Sequence, residues 1–287
     1  MKKRYKIKDM FIDAYKETKR TSLLVFLILR FLVIVCMVLQ LIRGDIHNSL
    51  LCLLSLILLI MPSIIQHKLD IKLPNTLEII IYLFIFSAEI LGEIHNFYGT
   101  FSSWDTILHT LNGFLCAAIG FSLIDLLNKK SKKIKLSPIY LCIVSFCFSM
   151  TIGVCWEFFE YGMDKIFLTD MQKDTIVKKI STVTLDPDQN NKAIVIDGIE
   201  TTIIYDKNGN ELTKLESGYL DIGINDTIKD LFVNFIGAFV FCIFGYFYLK
   251  KNKLKNNIFI DNFVPTKGKR KIPKSIKRKI KTNKERI

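Results

Sequence analysis

Four polar stripes hold the chemistry available to this sequence. Glu89, Glu93 and Asn96 stand at i, i+4 and i+7, with His95 beside them. Asp105, His109 and Asn112 repeat that spacing; Glu157, Glu160 and Asp164 stand at i, i+3 and i+7, and Asp226, Asp230 and Asn234 at i, i+4 and i+8. On an α-helix each set falls along one face. Together they carry eight carboxylates, with His95, His109 and Lys229 as the nearby bases. So many carboxylates cannot all ionise in a half-buried pocket without compensation. Three resolutions exist: a divalent metal ion, carboxylates that hold protons or hydrogen bonds, or a wide, wet pocket. Oxygen-rich ligation with one His suits Mg, Mn, Ca, Fe or a carboxylate-type zinc site, and no HExxH motif narrows the choice. Asp105, His109, Glu157, Glu160, Asp226 and Asp230 are the expected metal ligands. Glu89, Glu93, His95, Asn112, Asp164 and Asn234 are expected around them.

The elements that must position these stripes are apolar runs. Six qualify as membrane spans, at roughly 22–42, 48–65, 76–96, 104–127, 138–160 and 227–249. Each is long enough to cross a hydrocarbon core of about 30 Å at about 1.5 Å per residue. The second is the shortest and carries Pro62 near its end. The expected fold is an all-α transmembrane bundle of about six spans, with a small extracytoplasmic β-hairpin or meander inserted between spans five and six. Lys and Arg alternate between rich and poor connections: dense before residue 21, one at Arg43, two at Lys68 and Lys72, none at 97–103, dense at Lys129–Lys135. That places both termini in the cytoplasm and the polar end of spans three to six outside. The resulting organisation is a basic cytoplasmic segment (1–21), five helices (22–162), an extracytoplasmic loop (163–225), a sixth helix (226–250) and a basic cytoplasmic tail (251–287). Four independent stripes at one depth, in a medium that offers them no partner, should turn toward one another.

The remaining features are consistent with a multi-pass cell-membrane protein. The run Leu23–Ile42 is too long for a cleaved signal peptide and reads as a retained anchor. All seven cysteines fall in apolar runs, which argues against a disulfide framework or a thiolate zinc site. The loop has seven basic and eleven acidic residues, and Asp197-Gly198 and Asn208-Gly209 separate its β-rich runs. From Lys250 onward there are fifteen basic and two acidic residues, which fits anionic lipid headgroups, while the lack of interleaved aromatics argues against nucleic acid. Arg30, mid-span, must snorkel to the headgroups or find a partner such as Glu78 or Asp125.

The motifs Trp104-Asp105-Thr-Ile-Leu-His109-Thr-Leu-Asn-Gly113-Phe114, Trp156-Glu157-Phe-Phe-Glu160 and Asp226-Thr-Ile-Lys-Asp230-Leu-Phe-Val-Asn234-Phe-Ile-Gly237-Ala238 together resemble the YjdF-like bacterial membrane proteins. More distantly they resemble the VanZ-like proteins, which share a D-x3-H, then an E, then a D-x3-N-x2-G order. The likeness covers spans four to six. YjdF-like proteins have no established activity; the VanZ-like ones are associated with low-level teicoplanin resistance, which implies a cell-envelope setting. This chain departs from the VanZ-like pattern at Glu160, where Gln is usual, and in its long hairpin loop.

Three functions compete on these grounds. One is a metal-assisted hydrolase or transferase acting at the outer leaflet on a lipid or envelope precursor, with Glu157 or His109 as base; no obvious nucleophile or arginine clamp accompanies it. Another is a non-catalytic envelope or scaffolding protein whose polar cluster packs helices together. A proton- or ion-coupled transporter is the third, against which stand the lack of an internal repeat and a site displaced from the midplane.

Overall fold

The computed structural model describes residues 20–69, 71–130, 135–251, 263 and 265–267. The basic segment before residue 20, and the basic tail apart from residues 251, 263 and 265–267, lie outside the described residues. Among the described residues, five helical stretches are long and apolar enough to cross a membrane: 21–42, 46–68, 104–128, 138–167 and 224–250.

Helix α1 (Arg20–Ile42) is apolar along its length. Arg30 is accommodated with its guanidinium over the Phe26 ring, 5.7 Å from the centroid. Asp45 starts α2 (Ile46–Leu58) by accepting from the backbone N–H of Asn48 at 3.0 Å. The second span is interrupted after Leu58 and resumes as α3 (Met61–Leu69), with Pro62 in its first turn, where a missing N–H costs nothing. Strand β1 (Ile71–Lys72) pairs antiparallel with β8 (Thr266–Lys267).

The third expected span differs from a plain α-helix. It runs as α4 (Asn75–Phe86) and continues as a π-helical segment, Ser87–Ile94. Wider turns of this kind recur at functional sites. The short α5 (Phe97–Thr100) follows, entered through Asn96 in the left-handed region (φ 54°).

Three long helices form the second half: α6 (Trp104–Lys130), α7 (Pro138–Phe167) and α8 (Ile224–Lys251). Ser137 caps α7 and Pro138 opens it. They pack on one another through small residues. A Cβ on Gly113 would stand 2.1 Å from the Asn234 carbonyl oxygen, and one on Gly237 would stand 1.9 Å from that of Thr110. Backbone meets backbone there, which only glycine permits. Between them Asn112 donates to Asn234 Oδ1 (3.1 Å), and Ser149 Oγ donates to the Gly113 carbonyl (2.8 Å). Below this layer Ala117, Ala118, Phe121, Leu141, Ala238 and Phe241 close an apolar core. Leu115 of α6 joins a second cluster with Leu73 and Leu77, which ties α4 to the trio.

The insertion between α7 and α8 begins and ends as one antiparallel pair, β2 (Ile176–Val177) with β7 (Tyr219–Leu220). Inside this stem β3 (Lys179–Thr182) pairs with β4 (Ile194–Asp197), and β5 (Thr201–Tyr205) with β6 (Glu211–Glu216). Asn208-Gly209 makes the expected hairpin turn. Asp197-Gly198 does not join β4 to β5, because β4 pairs back onto β3, a strand the runs of alternating residues did not announce.

Asp206 organises the β5–β6 turn. Side-chain and backbone hydrogen bonds from Asn210, and backbone donation from Asn208, hold its carboxyl below the usual range. A depressed value in the folded state gives stability that is present above the unfolded value of about 3.9 and is lost as pH falls through the folded value. Amide-exchange protection at Asn208 and Asn210 should therefore hold near neutrality and decline in acid. Protection unchanged down to pH 2 would remove the carboxylate from this account.

Candidate metal centre

The start of α6 is fixed by aromatic packing. The Trp104 ring meets Phe97 edge-on at 4.9 Å, and its indole N–H donates to the Ser87 carbonyl at 3.3 Å. This contact ties α6 to the π-helical segment. Asp105 follows at once, and His109 lies one turn deeper. Glu157 comes from α7 at the matching level, and Asp230 from the second turn of α8. All four side chains stand at the end of the bundle that carries the insertion.

His109 is the hub. Its Nε2 lies 3.4 Å from Asp105 Oδ1 and 3.8 Å from Asp230 Oδ2, while its Nδ1 lies 3.9 Å from Glu157 Oε1. An oxygen of Asp105 and one of Asp230 also lie within 4.8 Å of each other. Side-chain exposure is 27% for Asp105, 11% for His109, 5% for Glu157 and 2% for Asp230. Contacts of 3.8–3.9 Å are too long for hydrogen bonds. Correspondingly, Asp105 Oδ2, Asp230 Oδ1 and both Glu157 oxygens are buried without a hydrogen-bond partner. Buried oxygens in this state are costly unless something compensates them.

The geometry admits an ion. One ligand atom each from Asp105, His109 and Asp230 lie within 4.8 Å of one another. Donors held about 2.0–2.4 Å from a shared cation are separated by up to roughly twice that distance. A two-carboxylate, one-imidazole set suits a divalent cation of hard or borderline character.

The other stripe residues are engaged as follows. Glu160 is buried and accepts from the Trp156 indole at 2.7 Å, a bond between i and i+4 on α7. Asp164 accepts from Thr169 Oγ1 (2.8 Å) and from the N–H groups of Met171 (2.7 Å) and Gln172 (2.9 Å). It thereby folds the segment after α7 into a strap. Asp226 accepts from the Lys173 N–H at 2.9 Å, and Gln172 Nε2 donates to Thr227 Oγ1 at 2.6 Å, so the strap is fastened to α8 as well. Asn112 and Asn234 serve the helix packing already described. Glu89 is half-buried on the π-helical segment, whereas Glu93, His95 and Asn96 are exposed.

Two contributors lay beyond sequence reasoning. Tyr98 packs against Gly92, where a Cβ would stand 2.4 Å from its ring. Burial, then the charges of Glu93, Asp105, Glu89 and Glu160, push its phenol up, so it stays protonated among those carboxylates. The strap residues Gln172 and Lys173 are the second contributor; nothing in their spacing marks them.

Residues 23–251 match the family model described as "Predicted membrane protein (DUF2238)". The chain belongs to this family. The matched range runs from within the first apolar helix to the end of the last and takes in the π-helical segment and the whole insertion. The YjdF-like resemblance fits this assignment. The chain is also 28% identical over 95 residues to an uncharacterized protein of Thermotoga maritima, covering 33% of this chain and 47% of that one. It thus spans about half the length of the curated relative it matches. No solved structure matches.

Proposed function

We propose that this DUF2238 protein is a membrane enzyme that holds a divalent metal ion between Asp105, His109 and Asp230 and acts on a lipid or cell-envelope precursor at the outer leaflet. One observation carries the reading: the three ligands converge while four nearby carboxylate oxygens are buried without partners. Packing alone does not call for this. The trio of helices is fastened one layer deeper by Gly113, Gly237, Asn112, Asn234 and Ser149. The charged layer above adds repulsion unless an ion or shared protons offset it. Three protein ligands leave coordination positions open, the pattern of catalytic rather than structural sites. A bound divalent ion would polarise a phosphoryl or carbonyl oxygen of the substrate. Asp105, the most exposed of the ligands, marks the side from which substrate enters.

Elemental analysis of protein purified in detergent without added chelator tests this reading. About one equivalent of a divalent metal, removable by chelator, is expected. Its absence, with no uptake of Mg, Mn, Ca, Fe or Zn on titration, would overturn it.

The outward placement of the site rests on the charge of the connections. Cysteines introduced at Asn208 and at Lys135 should differ in intact cells: a membrane-impermeant maleimide should label the first and spare the second. The reverse pattern would put the site at the cytoplasmic face. On the same grounds the basic tail is proposed to hold anionic headgroups at the inner surface.

A further inference from the structure

We infer that Glu157 is not a metal ligand but the positioning residue of the centre: it accepts from His109 Nδ1–H and so presents Nε2 to the ion. This deepens the metal reading and rests on it.

The two ring nitrogens of His109 face different groups. Nε2 looks toward Asp105 and Asp230, at 3.4 and 3.8 Å; Nδ1 looks toward Glu157, at 3.9 Å. The lone-pair directions of the two nitrogens diverge around the imidazole ring. An ion seated on Nε2 is therefore carried away from a carboxylate seated off Nδ1. Glu157 accordingly stands outside the group of three whose ligand atoms lie within 4.8 Å. Both its oxygens are buried and make no hydrogen bond of full geometry, with the Thr227 hydroxyl as the other polar group beside them, so an acceptor position remains for His109. Metal-bound histidines almost always donate their other N–H to a carboxylate, carbonyl or water, which fixes the tautomer and strengthens the ligand. Here the acceptor stands within 4 Å of the donor nitrogen. A small rotation of either side chain, on loading of the ion, closes that gap to hydrogen-bond length.

Placement by the helices supports the assignment. Asp105 and His109 are successive-turn residues of α6, and Asp230 faces them from α8. Glu157 comes from α7, the third helix, so His109 is clamped from both sides. Asp105 and His109 of α6 and Asp230 of α8 would hold the ion between those two helices, while Glu157 faces His109 from α7.

The test uses full-length protein in detergent, titrated with Co2+ and Mn2+, with Glu157→Gln, Glu157→Ala and Asp230→Asn compared. A positioning role predicts that Glu157→Gln, whose amide oxygen still accepts from Nδ1–H, stays within a few-fold of wild type. Glu157→Ala should weaken binding by about 10–100-fold, the usual loss for such a partner. Asp230→Asn should lose binding altogether. 15N labelling of histidine supplies a readout that fold alone does not move: the His109 resonances should report a protonated Nδ1 and, on adding diamagnetic Zn2+ or Cd2+, coordination at Nε2. The inference is overturned if Glu157→Gln loses the metal as completely as Asp230→Asn, which makes Glu157 a ligand. It is equally overturned if Glu157→Ala binds like wild type, or if the ion takes Nδ1. Failure of wild type itself to bind any metal overturns the parent reading instead, and the two failures are separate results.

Discussion

Asp230→Asn is expected to abolish the protein's response to metal while leaving the metal-free protein at least as stable as wild type. The opposite signs come from one cause. Asp230 is buried, one of its oxygens has no partner, and its carboxylate lies within 4.8 Å of that of Asp105. In the metal-free state its charge is a liability, and an isosteric amide removes that charge without leaving a cavity. In the metal-bound state the same charge is a ligand. An ion at 100 times its dissociation constant stabilises the folded state by about 2.7 kcal/mol. At about 2–4 °C per kcal/mol for a chain of a few hundred residues, this is a shift of roughly 5–10 °C. Wild type should show that shift on adding metal and lose it with chelator; Asp230→Asn should show neither. His109→Ala should also lose the response, and it should lower the metal-free midpoint as well by opening a gap between three helices. A wild-type midpoint indifferent to metal and chelator, with Asp230→Asn unchanged, would mean that the carboxylates share protons with one another.

Much of the fold was legible because lipid-compatible runs are long and unbroken. Length and hydropathy placed the spans to within a few residues at α1, α6 and α8, and at the start of α7, which runs on to Phe167, seven residues past its expected end. Where local geometry departs from one α-helix, composition is silent. The π-helical turn at Ser87–Ile94 is as apolar as an α-helix would be, and its wider hydrogen-bond ladder leaves no mark on a hydropathy profile. The strand pairing of the insertion shows a different limit. Asn208-Gly209 is a local signal for a local hairpin and makes one. Asp197-Gly198 is an equally good local signal, but β4 takes its partner from residues 179–182, with eleven residues between the two strands. Turn chemistry reports where the chain can reverse, not which strand it returns to.

The site was legible to the extent that helical periodicity aligns side chains. Spacing of four put Asp105 and His109 on one face, and the neighbouring stripes on α7 and α8 suggested which helices would face them. Periodicity gives no depth to a hydrogen bond, however. It could not show that Asp164 and Asp226 hold a backbone strap, since their partners are main-chain N–H groups of residues 171–173. Nor could it show that Glu160 is claimed by Trp156. Tyr98 was invisible for a further reason: it sits on a four-residue helix outside every expected span and packs on the Cβ-free surface of Gly92.

Gly237→Ala is expected to lower both stability and metal affinity, although residue 237 touches no ligand. The added Cβ would stand 1.9 Å from the Thr110 carbonyl oxygen and 3.0 Å from the Phe114 nitrogen. A carbon tolerates a carbonyl oxygen no closer than about 3.3 Å. Both obstacles are backbone within α6, so no side chain can swing aside, and α8 must back away by roughly 1 Å or more. Overpacking of this kind costs about 1–3 kcal/mol. The displacement is not confined to that layer. Thr110 follows His109 directly, and Asp230 lies two turns before Gly237 on the same rigid helix. Moving α8 from α6 also stretches the 3.1 Å Asn112–Asn234 bond. It separates the two halves of the ligand set, Asp105 and His109 from Asp230, at a site where an ångström decides coordination. Gly113→Ala should act in the same direction, because its Cβ meets the Asn234 carbonyl at 2.1 Å. Gly162→Ala is the control. It lies on α7 with nothing within 4 Å of its Cβ position, so it should keep wild-type metal affinity and gain up to about 1 kcal/mol from helix propensity. Thermal midpoints and metal titrations on the three variants decide the matter. Equal behaviour of Gly237→Ala and Gly162→Ala would mean that close contact of α6 with α8 does not set the geometry of the site.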